Sequence, residues 1–264
     1  MSDPVASLDD LRKHLEAHLR SLRSAGVEWA PRGDKLAAKA RPAPPIPSAT
    51  VQAAVETIDA EPVETDSRRQ ELSLLAAEVA KCVRCPSLAS TRTQTVFADG
   101  NPHAELLFLG EAPGADEDAQ GKPFVGEAGQ LLNRIIVACG LRREDVYICN
   151  VLKCRPPGNR TPLPDEAANC KGYLERQIEL VKPKFIVCLG SSAATQLLGT
   201  IKSLGQMRGR FHDYKGIPVM VTYHPAYLLP HRSPDKKRDV WEDMKMLMAK
   251  LGRPIPEKGA TSTE

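Results

Sequence analysis

The sequence contains no apolar run that approaches the roughly 18 residues required to span a membrane. Its first residues, MSDPVASLDDLRKHLEAHLRS, have neither the basic segment nor the apolar core of a secretory signal peptide. We therefore expect no membrane association and a cytoplasmic location, where thiols stay reduced. The seven cysteines are an odd number, which argues against a disulfide framework and favours a metal site or catalysis.

Net charge is also low, at +3 over 264 residues, so only the distribution of charges can indicate a partner. A composition of 42% hydrophobic and 26% charged residues suits one ordinary soluble domain with an additional segment. Residues 31–66 contain no Phe, Tyr or Trp and are rich in Pro and Ala. Such a stretch buries too little apolar area to offset its ordering entropy, so we predict a disordered linker, and likewise a disordered tail over 253–264.

Residues 1–30 are predicted to contain one amphipathic helix. Ser7 and Asp10 are placed as a capping box, and a leucine stripe recurs at three- and four-residue steps. The stripe consists of Leu8, Leu11, Leu15, Leu19 and Leu22. It could pack on the main domain, dock residues 7–24 on another protein, or drive self-association. The sequence leaves these roles open, although we expect a monomer.

From about residue 67 to 252, apolar runs alternate with helical patterns. The runs predict buried strands that end at Gly110, Asn150, Gly190 and His224. The intervening patterns predict helices over 126–139, 164–181, 191–198 and 235–251. Alternating strands and helices imply an α/β domain with a parallel sheet covered on both faces. Ligands of such sheets bind beyond the carboxyl ends of the strands.

Polar residues stand at three of these strand ends. The first strand leads into GEAPGADEDAQGKPFVG, a Gly- and Pro-rich loop that carries Glu111 and the aromatic Phe124. This loop matches neither the phosphate-cradling pattern nor the dinucleotide-binding glycine pattern. Asn150 ends the second strand and His224 ends the fourth. Each residue alone has an ordinary structural explanation, but an acid, an amide and an imidazole at one sheet edge indicate a functional site.

Four of the seven cysteines have the spacing of a metal site. Cys82 and Cys85 form a C-x2-C pair, and Cys154 and Cys170 follow the second strand. Four thiolates suit zinc or a [4Fe–4S] cluster, and the residues alone favour neither. The remaining cysteines lie within a predicted helix or apolar strands and are predicted to be inert: Cys139, Cys149 and Cys188.

The motifs GEAPGADED, GKPFVG, NVLKCRPPGNRTP and HPAYLL, in this order and with these cysteines, resemble the family 4 uracil-DNA glycosylases. The resemblance covers roughly residues 70–251. It implies a three-layer α/β/α sandwich around a four-stranded parallel sheet. It also implies a [4Fe–4S] cluster on the four cysteines and excision of uracil from single- or double-stranded DNA. The cluster would clamp the segment before the first strand to the loops after the second.

The resemblance also implies a role for each site residue. Asn150 would read uracil O4 and N3–H, Phe124 would stack on the base, and His224 would donate to O2. Glu111 would lie near the sugar and the attacking water, either as a base or as a stabiliser of the cation. The other substrate-binding positions are Gly110, Ala112 and Glu117. Other glycosylase families have an aspartate at the position of Ala112, so greater reliance on electrostatics would follow.

Basic residues flank the same sheet edge. Between Lys202 and Arg238 there are eight Lys and Arg against two Asp. A second basic group follows the second strand and consists of Lys153, Arg155 and Arg160. We expect phosphate contacts from these groups. Leu228 and Leu229, beside Arg232, are predicted to form an apolar loop tip that wedges into the DNA stack.

Two other functions remain open at this stage. Relatives of the family trap uracil-DNA irreversibly through a histidine in an inserted basic loop, and no matching insertion follows Pro157. A zinc-stabilised nucleic-acid module without catalysis would require the pocket residues to be coincidental. Glu127 stands where a neutral or basic residue would be expected near DNA.

Overall fold

The structure is a computed structural model that describes residues 66–253 and the isolated positions Asp9, Glu16 and Ile255. Its strands are β1 (Asp99–Gly100), β2 (Leu106–Gly110), β3 (Tyr147–Asn150), β4 (Phe185–Leu189), β5 (Phe211–Tyr214) and β6 (Ile217–Thr222). The α-helices of residues 66–253 are α1 (Ser67–Ala80), α2 (Pro86–Thr91), α3 (Ala115–Gln120), α4 (Glu127–Ala138), α5 (Pro164–Val181), α6 (Ser191–Leu198), α7 (Leu204–Met207) and α8 (Lys237–Lys250). None of the described helices is long and apolar enough to cross a membrane.

The predicted N-terminal helix, linker and tail lie outside the described residues, apart from a few positions. Asp9 and Glu16 are in helical conformation. Asp66, the last residue of the predicted linker, caps α1 by accepting from the Arg69 N–H at 3.1 Å. Helix α1 therefore begins where the linker was predicted to end.

The six strands form one sheet in the order β1-β3-β2-β4-β6-β5. The four central strands are parallel, with Leu109 of β2 opposite Cys149 of β3 and Cys188 of β4. Strands β1 and β5 run antiparallel to their neighbours at the two edges. The predicted four-stranded parallel sheet is confirmed as the centre of a six-stranded mixed sheet.

The two faces of the sheet bury separate hydrophobic cores, because successive side chains of a strand point to opposite faces. Leu107 and Leu109 belong to one core, which is completed by α1, α5 and α6. Leu106 and Phe108 belong to the other, which is completed by α4 and α8. Helices cover both faces, so the predicted α/β/α sandwich is confirmed.

Helix α5 shows how local sequence sets an element that carries site residues. Pro164 occupies the first turn, where a missing N–H costs nothing, and Glu166 accepts from the Leu163 N–H at 2.9 Å. Lys182 takes a left-handed conformation after the last turn, and Pro183 prevents the helix from continuing. The predicted bounds of this helix, 164–181, agree with the structure.

Candidate active site

A cavity of about 470 Å³ lies beyond the carboxyl ends of the parallel strands. Three strand ends supply lining side chains: Glu111 follows β2, Asn150 ends β3, and His224 follows β6. The other predicted site residues in its wall are Ala112, Glu117, Phe124 and Arg232. The structure thus brings residues that are far apart in sequence around one cavity.

Gly110, the last residue of β2, lies directly behind the cavity wall. A Cβ at this position would lie 2.2 Å from Asn150 Oδ1 and 2.6 Å from Phe124 Cζ. Any side chain larger than hydrogen would therefore displace the amide or the ring. Gly110 acts sterically, by allowing the two side chains to approach each other.

Asn150 presents an acceptor that has no partner. The residue is 2% exposed, and Oδ1 is buried without a hydrogen-bond donor among the described residues. Its main-chain carbonyl accepts from Lys153 Nζ at 2.7 Å, which fixes the backbone that carries the amide. Leaving a buried acceptor unpaired costs about 1–3 kcal/mol. In a cavity wall, such an atom indicates a position for a ligand donor.

Phe124 holds its ring in the wall from a strained backbone. Its φ of +53° is left-handed, which costs a residue with a Cβ roughly 1–2 kcal/mol. Gly129 permits this conformation, because a Cβ there would lie 2.0 Å from the Phe124 carbonyl oxygen. The ring centroid lies 5.6 Å from that of His224. Strain that persists at a cavity wall points to a functional conformation.

Glu117 braces the loop that contains Phe124. Its Oε1 accepts from the main-chain N–H groups of Val125 at 2.9 Å and Gly126 at 3.0 Å. Its Oε2 accepts from the Gly114 N–H at 3.0 Å. One carboxylate thus ties together the two halves of the loop after β2.

His224 is neutral and has one defined tautomer at physiological pH. Burial lowers its pKa to about 4, and the nearby Glu117 carboxylate and Arg232 guanidinium act in opposite directions. Nδ1 accepts from the Ala226 N–H at 3.1 Å, so the neutral ring carries its proton on Nε2. No described residue accepts a hydrogen bond from that nitrogen. The ring therefore presents one unpaired N–H donor.

Glu111 is half-buried, and burial raises the pKa of its carboxyl group. A hydrogen bond with Ser192 partly opposes that shift. Ser192 lies in the first turn of α6, beyond the end of β4, and sequence reasoning missed it. Its place just after a predicted strand end was the signal that could have revealed it. Ala112 lines the cavity beside Glu111 and supplies no second carboxylate.

The four predicted metal-ligating cysteines converge beside the cavity. Three of them, Cys85, Cys154 and Cys170, share a small apolar cluster with Leu88 and Leu152. Burial raises the pKa of Cys154, and Arg92 opposes that shift through its hydrogen bond and its charge. The nearby Cys82 and Cys85 also contribute to the rise, which places them close to this thiol. The other cysteines lie in the two main cores and are Cys139, Cys149 and Cys188.

Two of the four sulfurs accept a hydrogen bond, Cys154 from Arg92 Nη1 at 3.0 Å and Cys85 from Asn169 Nδ2 at 3.5 Å. The Tyr173 hydroxyl lies near Cys82, and the Lys153 main chain lies near Cys170. Donors of this kind stabilise thiolates over thiols. Within residues 66–253, no group of three or more His, Cys, Asp or Glu side chains is arranged to hold a metal ion.

The expected phosphate contact of Lys153 is wrong. Its side chain is 1% exposed, and Nζ donates to the carbonyl of Asn150, so DNA cannot reach it. Arg160 lines the cavity, but both of its terminal nitrogens bond the buried Glu166 carboxylate, at 2.8 and 2.6 Å. After β3 the side chains of Lys153 and Arg160 make contacts within the protein. A count of basic residues in the sequence cannot reveal which of them do so.

The predicted apolar wedge of Leu228 and Leu229 is also wrong. The two residues are 1% and 7% exposed and belong to the core under α4 and α8. Tyr227 takes the exposed position instead, at 42%, and its ring stacks on Tyr223 with centroids 5.4 Å apart. Arg232 is exposed and lines the cavity rim.

The fold and this site agree with the comparison to known families. Residues 97–245 match the model of the uracil DNA glycosylase superfamily, and the chain belongs to that family. It is 45% identical to the type-4 uracil-DNA glycosylase of Thermotoga maritima over 180 residues, which cover 67% of this chain and 93% of that protein. The type-4 uracil-DNA glycosylase of Archaeoglobus fulgidus is 40% identical over 195 residues, covering 71% and 96%. That of Saccharolobus solfataricus is 43% identical over 194 residues, covering 70% and 88%.

Proposed function

We propose that the protein is a monofunctional uracil-DNA glycosylase, which extrudes uracil from DNA, hydrolyses the N-glycosidic bond and leaves an abasic site. The observation that carries the proposal is the buried, partnerless Oδ1 of Asn150, in one cavity with the Phe124 ring and a neutral imidazole. An enzyme that acts on a base needs a closed pocket that reads the edge of the base and covers its face. The names of the relatives support the same substrate.

Asn150 selects uracil by its pattern of donors and acceptors. Oδ1 accepts from uracil N3–H, and the amide N–H donates to O4. Cytosine has an unprotonated N3 and an amino group at these positions, so it mismatches both contacts. Phe124 provides the stacking surface, at about 1–3 kcal/mol for a base on an aromatic ring. Gly110 keeps the amide and the ring close enough to act on one base.

His224 stabilises the leaving group. Cleavage of the N-glycosidic bond places negative charge on uracil, and the Nε2–H donates to O2 as that charge develops. Because burial lowers the pKa of His224 to about 4, the ring acts as a neutral donor throughout the physiological range. A neutral donor also leaves the negative charge on uracil, which then departs as an anion.

Glu111 acts on the sugar side of the bond. Its carboxylate faces the cavity, where it stabilises the cationic sugar and orients the attacking water. Burial raises its pKa, which makes the ionised form a stronger base. Since Ala112 offers no second carboxylate, the electrostatic contributions of Glu111 and His224 carry most of the rate enhancement.

The four converging cysteines are proposed to hold a [4Fe–4S] cluster. Four converging thiols, two of which accept hydrogen bonds from Arg92 and Asn169, fit thiolate ligands. Four thiolates would also suit a structural zinc ion, and the likeness to the type-4 uracil-DNA glycosylases favours the iron–sulfur cluster. When bound, the cluster cross-links the segment after α1, the loop after β3 and helix α5.

The DNA surface lies around the mouth of the cavity. Arg232 contacts a phosphate beside the extruded nucleotide, since it is exposed at the rim. Tyr227 replaces Leu228 and Leu229 as the residue that meets the neighbouring base, because it is the exposed aromatic side chain of this loop. Its ring is already supported by Tyr223, over which Arg208 lies at 5.1 Å.

Incubation with an excess of uracil-containing oligonucleotide tests the function directly. Several turnovers per enzyme, with free uracil as product, are expected. A denaturant-resistant protein–DNA complex without turnover would identify a trapping protein. Unchanged DNA would indicate a binding module and overturn the proposal.

A further inference from the structure

The guanidinium of Arg143 makes four hydrogen bonds behind the cavity wall. Arg143 lies in a 3-10 turn just before β3, and its side chain is 22% exposed. The acceptors are Asp99 Oδ2 at 2.7 Å from Nε, Asn133 Oδ1 at 2.8 Å and the Phe124 carbonyl at 3.1 Å from Nη1, and the Pro123 carbonyl at 2.6 Å from Nη2. A planar fork of fixed donors suits such a set, which a lysine could not satisfy.

Two of these acceptors, the Pro123 and Phe124 carbonyls, belong to the peptide units on either side of the Phe124 α-carbon. These are the units whose orientation defines a left-handed backbone at Phe124, where φ is +53°. Asp99 on β1 and Asn133 on α4 anchor the guanidinium from outside the loop. The strained residue is thus attached through Arg143 to the sheet edge and to a helix.

The loop is held from the opposite side by other groups. Glu117 accepts from the N–H groups that follow Phe124, and Gly129 leaves room for its carbonyl. These contacts fix the end of the loop, but they do not bond the Pro123 or Phe124 carbonyls. Arg143 is the described side chain that donates to both.

We propose that Arg143 is a positioning residue, which holds Phe124 in its left-handed conformation so that the ring forms the stacking wall of the base pocket. The inference rests on the proposed glycosylase function for its kinetic consequence only. Arg143 touches neither the cavity nor the reacting atoms, so it acts through Phe124.

A double-mutant cycle between Arg143→Gln and Phe124→Ala tests this role. Arg143→Gln alone should lower kcat/KM for uracil excision by about tenfold to a hundredfold, the scale for misplacing a group that orients the substrate. In the Phe124→Ala background the same change should have less than about a twofold effect, because there is no ring left to position. Equal losses in both backgrounds, or no loss in either, would overturn the proposal.

The neighbouring Arg142 offers a matched control. It is exposed and bonds Asp145 at 2.8 Å, without contact to Phe124, so Arg142→Gln should leave kcat/KM within about twofold. If Arg143→Gln does not fold, Asp99→Asn takes its place in the cycle, since it removes an anchor of the guanidinium outside the loop.

A second readout needs no substrate and therefore separates this inference from the proposed function. Amide hydrogen exchange over residues 122–126 should accelerate in Arg143→Gln and stay unchanged in Arg142→Gln. Unaltered exchange in Arg143→Gln would show that the loop does not depend on the guanidinium. Accelerated exchange in a protein that releases no uracil would support the positioning role while refuting the glycosylase.

Discussion

One stretch of chain, from Asn150 to Cys154, joins the cavity to the cysteine site. The two sites differ in whether their polar atoms have hydrogen-bond partners within the protein. In the cavity, Asn150 Oδ1 and the Nε2–H of His224 have no partner among the described residues. At the cysteine site, Cys154 and Cys85 accept hydrogen bonds from Arg92 and Asn169. Unpaired groups suit a ligand that arrives and leaves, whereas paired groups suit one that stays. A change in the cavity should therefore affect rate, and a change at the cysteine site should affect stability.

The largest effect is expected from Cys154→Ala. With the proposed [4Fe–4S] cluster the wild-type protein should be brown, with broad absorption at about 400 nm, and the variant should lose both. Its melting temperature should fall by more than about 10 °C, because a structural cluster belongs to the few features whose loss costs above 4 kcal/mol. Cys139→Ala, in the core, should retain the absorption. A colourless wild-type protein with stoichiometric zinc after anaerobic purification would refute the cluster.

His224→Ala should lower the excision rate by about 10²–10³, the scale for loss of one preorganised oxyanion donor. DNA affinity and the melting temperature should change little, which would separate rate from stability. His212→Ala is a suitable control, because His212 lies on β5, away from the cavity. Its Nε2 makes a hydrogen bond of 2.7 Å with the Met207 carbonyl. Activity within threefold of wild type would contradict the role of His224.

Leu228→Ala and Tyr227→Ala test a buried and an exposed residue of the same loop. Leu228→Ala should reduce the free energy of unfolding by about 2–5 kcal/mol, since the residue is fully buried. Tyr227→Ala should leave stability unchanged and weaken DNA binding about tenfold, through lost stacking. Urea unfolding and fluorescence anisotropy measure the two effects. If Leu228→Ala instead weakened DNA binding without loss of stability, Leu228 and Leu229 would be the residues that wedge into the DNA stack.

The pH dependence should separate Glu111 from His224. Excision should fall as the pH drops through the raised pKa of Glu111, and His224 should add no inflection near 6.5, because it stays neutral down to a pKa of about 4. Between pH 6.5 and 4 the unfolded chain binds more protons at His224 than the folded chain, so its contribution to stability declines as the pH falls. An activity change centred on pH 6.5 that is absent in His224→Gln would contradict a neutral imidazole.

The smallest effect is expected from deletion of residues 1–65. The sheet, the cavity and the cysteine site all lie within residues 66–253, so turnover on short oligonucleotides should be nearly unchanged. A fall in melting temperature of more than about 5 °C would mean that the leucine stripe packs on the glycosylase domain.

Burial on both faces made the central sheet predictable. Runs such as LLFLG and FIVCL are apolar throughout because both faces of a parallel strand are covered. The edge strands escaped prediction, since β1 has two residues and β5 carries His212 and Asp213. Strand β1 pairs with β3, which is distant in sequence, so no local pattern reveals it. Strand β5 instead forms a hairpin with β6 through Lys215 and Gly216, and that turn was a local signal that sequence reasoning missed.

The site was predictable where chemistry coincides with a strand end. Asn150 and His224 fall into this class, because parallel strands deliver their carboxyl ends to one edge. Burial within a loop was not predictable, and Lys153 and Leu228 were therefore misassigned to the DNA surface. Arg143 was missed because it acts from behind the wall, on a carbonyl nineteen residues earlier in the chain.

The space available in the pocket depends on the absence of a side chain at Gly110. A methyl group at this position would lie 2.2 Å from Asn150 Oδ1 and 2.6 Å from the Phe124 ring. An alanine would thus push the amide or the ring out of place and into the space meant for the base, while the rim at Arg232 and the cysteine site stayed intact. Such a protein would still hold DNA but would no longer admit the nucleotide.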